Sequence, residues 1–148
     1  MAKKVRDYMH RGLLICRPGA TIGQVAVVLT QHHVHGLIVA DRDGRALGVI
    51  TDFDLMAGEW LSGDPQSLEV MRKMTAGELM STPVDTIDID ASAREAAAIM
   101  RSKLIRRVVV TENGKPVGVI SVSDIIDSIA DTLPAKRDTV GDVMSDAM

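Results

Sequence analysis

A chain of 148 residues with 46% hydrophobic content has enough apolar side chain for one compact domain or two small halves sharing a core. Its formal net charge of -3 and pI near 5.8 argue against a general grip on nucleic acid, and its single cysteine, Cys16, excludes an internal disulfide and a four-cysteine zinc site. No apolar run approaches membrane-spanning length and the first residues lack the apolar segment of a secretory signal, so a cytoplasmic setting without membrane contact is expected.

The pattern begins with a short helical turn at Val5-Arg6-Asp7-Tyr8-Met9 and a brief apolar strand, Leu13-Leu14-Ile15-Cys16, stopped by Pro18-Gly19. Thr21 and Gln24 then form a capping-box pattern ahead of an apolar stripe, Ile22, Val25, Ala26 and Leu29, at helical spacing. Leu37-Ile38-Val39-Ala40 is a continuous aliphatic run, as in a strand covered on both sides. After a turn at Asp41-Arg42-Asp43-Gly44, the chain returns through Leu47-Gly48-Val49-Ile50 and enters a helix near Phe53 to Met56. Gly58 to Met74 reads as a partly helical connection broken at Gly63-Asp64-Pro65.

From there the whole series recurs. Met9 falls on Met80, Ala20 on Ala91, Thr21 on Ser92 and Leu29 on Met100, each 71 positions on; after the turn the spacing becomes 70, with Gly48 on Gly118 and Thr51 on Ser121. The one-residue difference lies in a loop, where it costs little. The second copy supplies its own turn (Ala76 to Met80 after Thr75), strand (Val84 to Ile87) and capped helix (Ser92 and Glu95, with Ala93, Ala96, Ala97 and Met100). It continues with a run at Val108-Val109-Val110, an Asn113-Gly114 hairpin, a returning strand Val117 to Ile120 and a final helix at Ile125 to Ile129. Along the chain the division is 1–58, a linker at 59–74, 75–132, and a tail at 133–148. In that tail, Thr139 to Ser145 resembles Thr75 to Ser81, like the start of a third copy or a helix that packs where such a start would pack.

The chemistry concentrates where each returning strand ends. Gly48-Val49-Ile50-Thr51-Asp52-Phe53-Asp54 and Gly118-Val119-Ile120-Ser121-Val122-Ser123-Asp124 each place a hydroxyl at a strand end and a carboxylate three positions later. One reading is a helix cap, in which the hydroxyl accepts from backbone amides and the acid favours the helix N-terminus. The other is a ligand corner: amides at the helix start attract phosphate, and an Asp in the crevice accepts from ribose hydroxyls.

The duplicated Gly-h-h-[ST]-x-x-Asp stretches (h, hydrophobic), Ile105-Arg106-Arg107-Val108-Val109-Val110 before a hairpin, and the Pro18-x-x-Thr21 helix start together resemble a tandem pair of CBS domains, the module named after cystathionine β-synthase. The resemblance covers nearly the whole chain. It implies an α/β (α+β) fold of two β-α-β-β-α repeats about a pseudo-twofold axis, with two equivalent clefts. It further implies adenosine ligands, AMP, ADP or ATP foremost and S-adenosylmethionine or NAD as alternatives, with no required cofactor, and a homodimer formed through the helices. By the same resemblance Asp54 and Asp124 bind ribose and Thr51 and Ser121 bind phosphate. Ile15, Cys16, His35, Gly36, Leu37, Thr86, Ile87, Arg106, Arg107 and Val108 line the base and phosphate ends.

The two corners differ in charge. Arg106 and Arg107 stand near Asp124 and can form charge-assisted hydrogen bonds to phosphate, whereas the first copy has His35 and Gly36 there, with acidic Asp52 beside Thr51. The second corner is therefore expected to favour phosphorylated ligands. Ile89-Asp90 in place of Pro18-Gly19 predicts a different strand-to-helix junction. His32, His33 and His35 could ligate a metal, but helix-end and cleft roles explain them more simply. Cys16, aligned with Ile87, reads as a small apolar residue. No nucleophile, base and orienting group come together in the sequence, so a regulatory ligand sensor or a structural interaction module is expected rather than an enzyme.

Overall fold

The computed structural model describes residues 3–56 and 58–133. Helix α1 (Val5–Tyr8) leads into β1 (His10–Arg11), β2 (Ile15–Cys16), α2 (Ile22–His32), β3 (Gly36–Ala40), β4 (Ala46–Thr51) and α3 (Asp52–Leu55). Helices α4 (Gly58–Ser62) and α5 (Pro65–Lys73) connect these to α6 (Ala76–Leu79), β5 (Thr86–Asp88), α7 (Ala93–Lys103), β6 (Arg107–Glu112), β7 (Lys115–Ser121) and α8 (Val122–Thr132). The echo at Thr139 to Ser145 lies outside the described residues.

Local chemistry sets the boundaries of these elements. The Oγ1 atom of Thr21 accepts from the Gln24 amide at 3.2 Å while Gln24 Oε1 accepts from the Thr21 amide at 3.0 Å, which starts α2; Ser92 caps the Glu95 amide at 3.1 Å to start α7. The two helices bury Ile22, Val25 and Leu29, and Ala93, Ala96 and Met100. Both stop at a left-handed residue, His33 (φ 52°) and Leu104 (φ 55°). The Asn113-Gly114 turn has φ 54° and 79°, the pair of positive angles that a two-residue hairpin requires. In the longer first loop, Asp41 Oδ1 accepts instead from the amides of Asp43 and Arg45, each at 2.9 Å.

Strand β3 runs parallel to β2 and antiparallel to β4, and β6 is parallel to β5 and antiparallel to β7. One face of each sheet packs on its helices: Leu37, Val39 and Ile50 meet α2, and Val108, Val110 and Ile120 meet α7 and α8. The other faces meet each other through Ile38, Ala40 and Val109, joined by Leu13, Val49 and Val84. Burial on both faces explains the unbroken aliphatic runs. The connection is more than a tether, because Asp64 caps α5, Pro65 opens it, and Met71 is buried in the first core.

The leading segment of each copy completes the other copy. Val5, fully buried, belongs to the core built by α7, β6 and β7, and Ala76 to that of α2, β3 and β4. The amides of Val5 and Arg6 donate to the carbonyls of Ala91 (2.9 Å) and Ile89 (3.1 Å), while those of Ala76 and Gly77 donate to Ala20 (2.7 Å) and Pro18 (2.9 Å). Every partner in the second pair of bonds is offset by 71 from its counterpart, which is the pseudo-twofold axis written in hydrogen bonds. The same symmetry pairs His10 with Val119 and Ser81 with Val49. Contrary to the different junction expected at Ile89-Asp90, the backbone turn is the same in both copies, with Ala20 N donating to the Arg17 carbonyl and Ala91 N to the Asp88 carbonyl, each at 3.0 Å. Only side chains differ, Ile89 being buried and Asp90 Oδ1 receiving Arg6 Nη2 at 2.6 Å and Nε at 3.0 Å. Tyr8 adds a hydrogen bond of 2.7 Å to Asp131 of α8, which pushes the phenol up to about 12.

The crossing points are glycines. A β-carbon on Gly118 would collide with the His10 carbonyl and the Met9 methyl group, and one on Gly48 would lie 2.5 Å from Met80 Sδ and 2.9 Å from the Ser81 carbonyl. Gly118→Ala should therefore lower unfolding free energy by about 1–3 kcal/mol in chemical denaturation, because backbone rather than a side-chain tip must yield. Gly19→Ala, whose added carbon would meet nothing within 4 Å, should leave it unchanged. A second expectation concerns acid. The Arg6 hydrogen bond holds the Asp90 carboxyl below its ordinary range, so its stabilising contribution is present above the unfolded-state value of about 3.9 and is lost as pH falls through the depressed folded value. Thermal melts of Asp90→Asn and the unsubstituted protein should accordingly differ at neutral pH and converge as the pH is lowered through that window.

Candidate corners at the strand ends

Two corners occupy symmetry-related places, where β4 runs into α3 and β7 into α8. In each, one carboxylate oxygen closes a reciprocal cap. Asp54 Oδ2 accepts from the Thr51 amide at 2.8 Å and its hydroxyl at 3.0 Å, and Asp124 Oδ2 accepts from the Ser121 amide and hydroxyl at the same two distances. The hydroxyls accept in return from the amides of Asp54 (3.3 Å) and Asp124 (3.4 Å). The capping reading is thus physically realised at both corners, and a ligand would have to use what the caps leave over.

What they leave over differs. Asp124 has a side-chain exposure of only 3%, and its Oδ1 lies 2.8 Å from Nε2 of His10, a residue delivered by β1 from the opposite copy. The symmetry counterpart of His10 is Ser81, and among the described residues no side chain is hydrogen-bonded to Oδ1 of the half-buried Asp54. Sequence reasoning did not select His10 or Ser81. The spacing of 71 placed them in equivalent positions, but only the crossing at the glycines brings them to the corner of the other copy.

The remaining candidate residues divide by strand alternation. Gly36 faces Thr51 across β3 and β4, and Arg107 faces Ser121 across β6 and β7, so both join the corner. The carbonyls of His35 and Arg106 accept from the amides of Asp52 (2.8 Å) and Val122 (3.0 Å), which fixes the backbone beside each cap. Thr86 and Ile15 are exposed on the strands that flank these positions. By contrast, the side chains of Leu37, Ile87 and Val108 are buried in the cores, and Cys16 packs against the first of these, because these positions point to the helices. Leu37, Ile87 and Val108 thus have only their backbones to offer a ligand, while Cys16 stays partly exposed. Partial burial also raises the Cys16 thiol above its ordinary value. On the opposite sheet faces stand Leu13, Ile38, Val49, Val84 and Val109, which the sequence reading had not assigned to the clefts.

The electrostatic contrast is concrete. His35 Nδ1 lies 3.0 Å from Asp52 Oδ2, so the first corner carries its own carboxylate partner for that imidazole. Among the described residues neither Arg106 nor Arg107 forms an ion pair, and both are exposed, so the guanidinium of Arg107, the residue that faces Ser121, is not committed to a carboxylate. The histidine patch does not converge: His32 ends α2 and His33 caps it, and no group of three His, Cys, Asp or Glu able to hold a metal ion occurs among the described residues. No described helix is long and apolar enough to cross a membrane.

The CBS domain family pattern matches residues 5–58 and 76–131. An uncharacterized protein of Methanocaldococcus jannaschii is 29% identical over 143 residues, which span 86% of this chain but 32% of that one. Another, YlbB of Bacillus subtilis, is 31% identical over 123 residues, 82% of this chain and 79% of that one. A Methanopyrus kandleri relative is likewise spanned over only 60% of its length. Among solved structures, the CBS domain of a membrane protein from Sphaerobacter thermophilus superposes with a TM-score of 0.72 at 28% identity, covering 85% of this chain and 87% of that one. The structure of CBSX2 in complex with AMP (TM-score 0.72, 20% identity, 88% and 98% coverage) has the same fold. So does a CBS domain pair in complex with 5′-methylthioadenosine and S-adenosyl-L-methionine (TM-score 0.71, 22% identity, 89% and 99% coverage). With both repeats matched and the fold shared throughout, this chain belongs to the CBS domain family as a tandem CBS pair.

Proposed function

We propose that this CBS pair is a regulatory module that binds adenosine-containing ligands, AMP, ADP or ATP foremost, in the clefts between its repeats and signals through a change of shape or assembly. The observation that carries the reading is the second corner. There a hydroxyl and a carboxylate open the eleven-residue helix α8, and Arg107, exposed and without a carboxylate partner among the described residues, faces Ser121 across β6 and β7. A nucleotide phosphate is the chemistry that such a group receives best. CBS pairs of the same fold crystallised with AMP, and with 5′-methylthioadenosine and S-adenosyl-L-methionine, support the adenosine class. Asp54 and Thr51 form a related site with different selectivity.

Signalling needs two states with unequal ligand affinity. The exposed apolar side chains of α8, Ile126, Ile129 and the adjoining Leu133, together with Val27 on α2, support assembly into a homodimer through the helices. The module acts in the cytoplasm, without catalysis of its own, on a partner whose identity its residues do not specify. A structural or protein-interaction module is the second reading, favoured by one observation: both hydroxyl–carboxylate pairs are already satisfied as caps.

Calorimetric titration with AMP, ATP, a nicotinamide dinucleotide and S-adenosylmethionine should give a dissociation constant on the order of micromolar or tighter for at least one of them. Absence of binding by all four would favour the interaction module. Arg107→Ala should lower nucleotide affinity about tenfold while leaving the melting temperature nearly unchanged, as for other exposed substitutions. Asp124→Ala should lower both, since it removes a cap contributing about 0.5–2 kcal/mol; lost stability with unchanged affinity would return that residue to a purely structural role.

A further inference from the structure

Given the nucleotide reading, on which this step rests, the geometry points to His10 as the specificity-determining residue of the second cleft, contributed from the first repeat. The two corners are alike in their caps and part company at the remaining carboxylate oxygen. At Asp124, Oδ1 is in 2.8 Å contact with His10 Nε2, and the carboxylate is 3% exposed; the imidazole that covers it is 79% exposed. His10 faces Val119 across β1 and β7, on the sheet face that also carries Ser121 and Arg107. The oxygen that a ribose hydroxyl would seek is therefore already occupied by a side chain with solvent on its other side.

A ligand entering this cleft has to displace the imidazole from Asp124. Adenosine alone replaces that contact with a hydroxyl and gives the imidazole only water in exchange for the carboxylate. A phosphorylated adenosine gives the displaced ring N–H a new acceptor, in the same place where Arg107 supplies a guanidinium. His10 thus penalises the bare nucleoside and spares the nucleotide. The first cleft has Ser81 in the equivalent position, too short to cover Asp54, and so accepts adenosine without that penalty.

Calorimetry with AMP and adenosine tests this, each cleft being read alone by silencing the other. In an Asp54→Ala background, AMP should bind about tenfold or more tightly than adenosine, and His10→Ser should bring the two within about threefold by strengthening adenosine binding. In an Asp124→Ala background, the reciprocal Ser81→His should weaken adenosine at the first cleft by about fivefold or more while sparing AMP. An AMP-to-adenosine ratio unchanged by either substitution would overturn the role of His10 and leave nucleotide binding standing. Failure of the unsubstituted protein to bind either compound, or ATP, a nicotinamide dinucleotide or S-adenosylmethionine, would instead overturn the nucleotide reading itself. Should His10→Ser not fold, the Ser81→His arm decides, together with ring-nitrogen resonances of the four histidines in the unsubstituted protein. The His10 resonance should shift strongly with AMP, and if it does not, whatever the other three do, the imidazole is not displaced and the proposal fails.

Discussion

The close passage of backbone over backbone at Gly48 and Gly118 governs the rest of the molecule. At each glycine the leading segment of one repeat crosses the returning strand of the other with no room for a β-carbon. That crossing lets Val5 and Ala76 reach the opposite cores, and the fully buried Val5 alone contributes about 1.5–3 kcal/mol of apolar burial there. It also carries His10 and Ser81 to the strand ends. Core completion and site composition thus depend on the same two contacts.

At the strand ends, folding uses the same atoms that the proposed ligand would use. A hydroxyl and a carboxylate three residues apart are what a helix start needs, and they are also what a ribose phosphate can use. The caps consume one carboxylate oxygen, the hydroxyl and the amide three residues on, and the first amide of each helix is held by the His35 or Arg106 carbonyl; the other carboxylate oxygen and the neighbouring charged side chains remain to distinguish the corners. Because the backbone geometry of the two is so nearly the same, their difference lies in a few side chains: Asp52 against Val122, His35 and Gly36 against Arg106 and Arg107, and Ser81 against His10. Duplication supplies two copies of a scaffold, and substitution at its rim makes them chemically unequal.

The repeat, its elements and its caps were legible in the sequence because they are local. Thr21 with Gln24, Asn113 with Gly114 and the stripe through Ile22, Val25 and Leu29 each act within a few residues. The exchange of leading segments was not legible. A short helix bearing Val5 or Ala76 reads alike whether it docks on its own repeat or the other, so divisions along the chain are not divisions in space. The lining of the clefts was only partly legible for a related reason. Runs such as Val108-Val109-Val110 are apolar on both faces, and without alternation the sequence does not say which side chain turns toward the ligand and which toward the helix. His10 escaped notice because its importance rests on a contact with Asp124, a residue more than a hundred positions away.

The exchanged segments also bear on how the protein comes to exist. As the chain leaves the ribosome, the first repeat lacks its Ala76 plug until the connection has been made, and Val5, made before either strand, has no core to enter until β6 and β7 follow. Contacts such as Tyr8 with Asp131 close a sequence separation of 123 residues. Loops of that length raise the entropic cost of the folding step and slow it. The halves are therefore not two folding events joined by a linker. Native structure waits for the second repeat, and the first one made spends its early life incomplete.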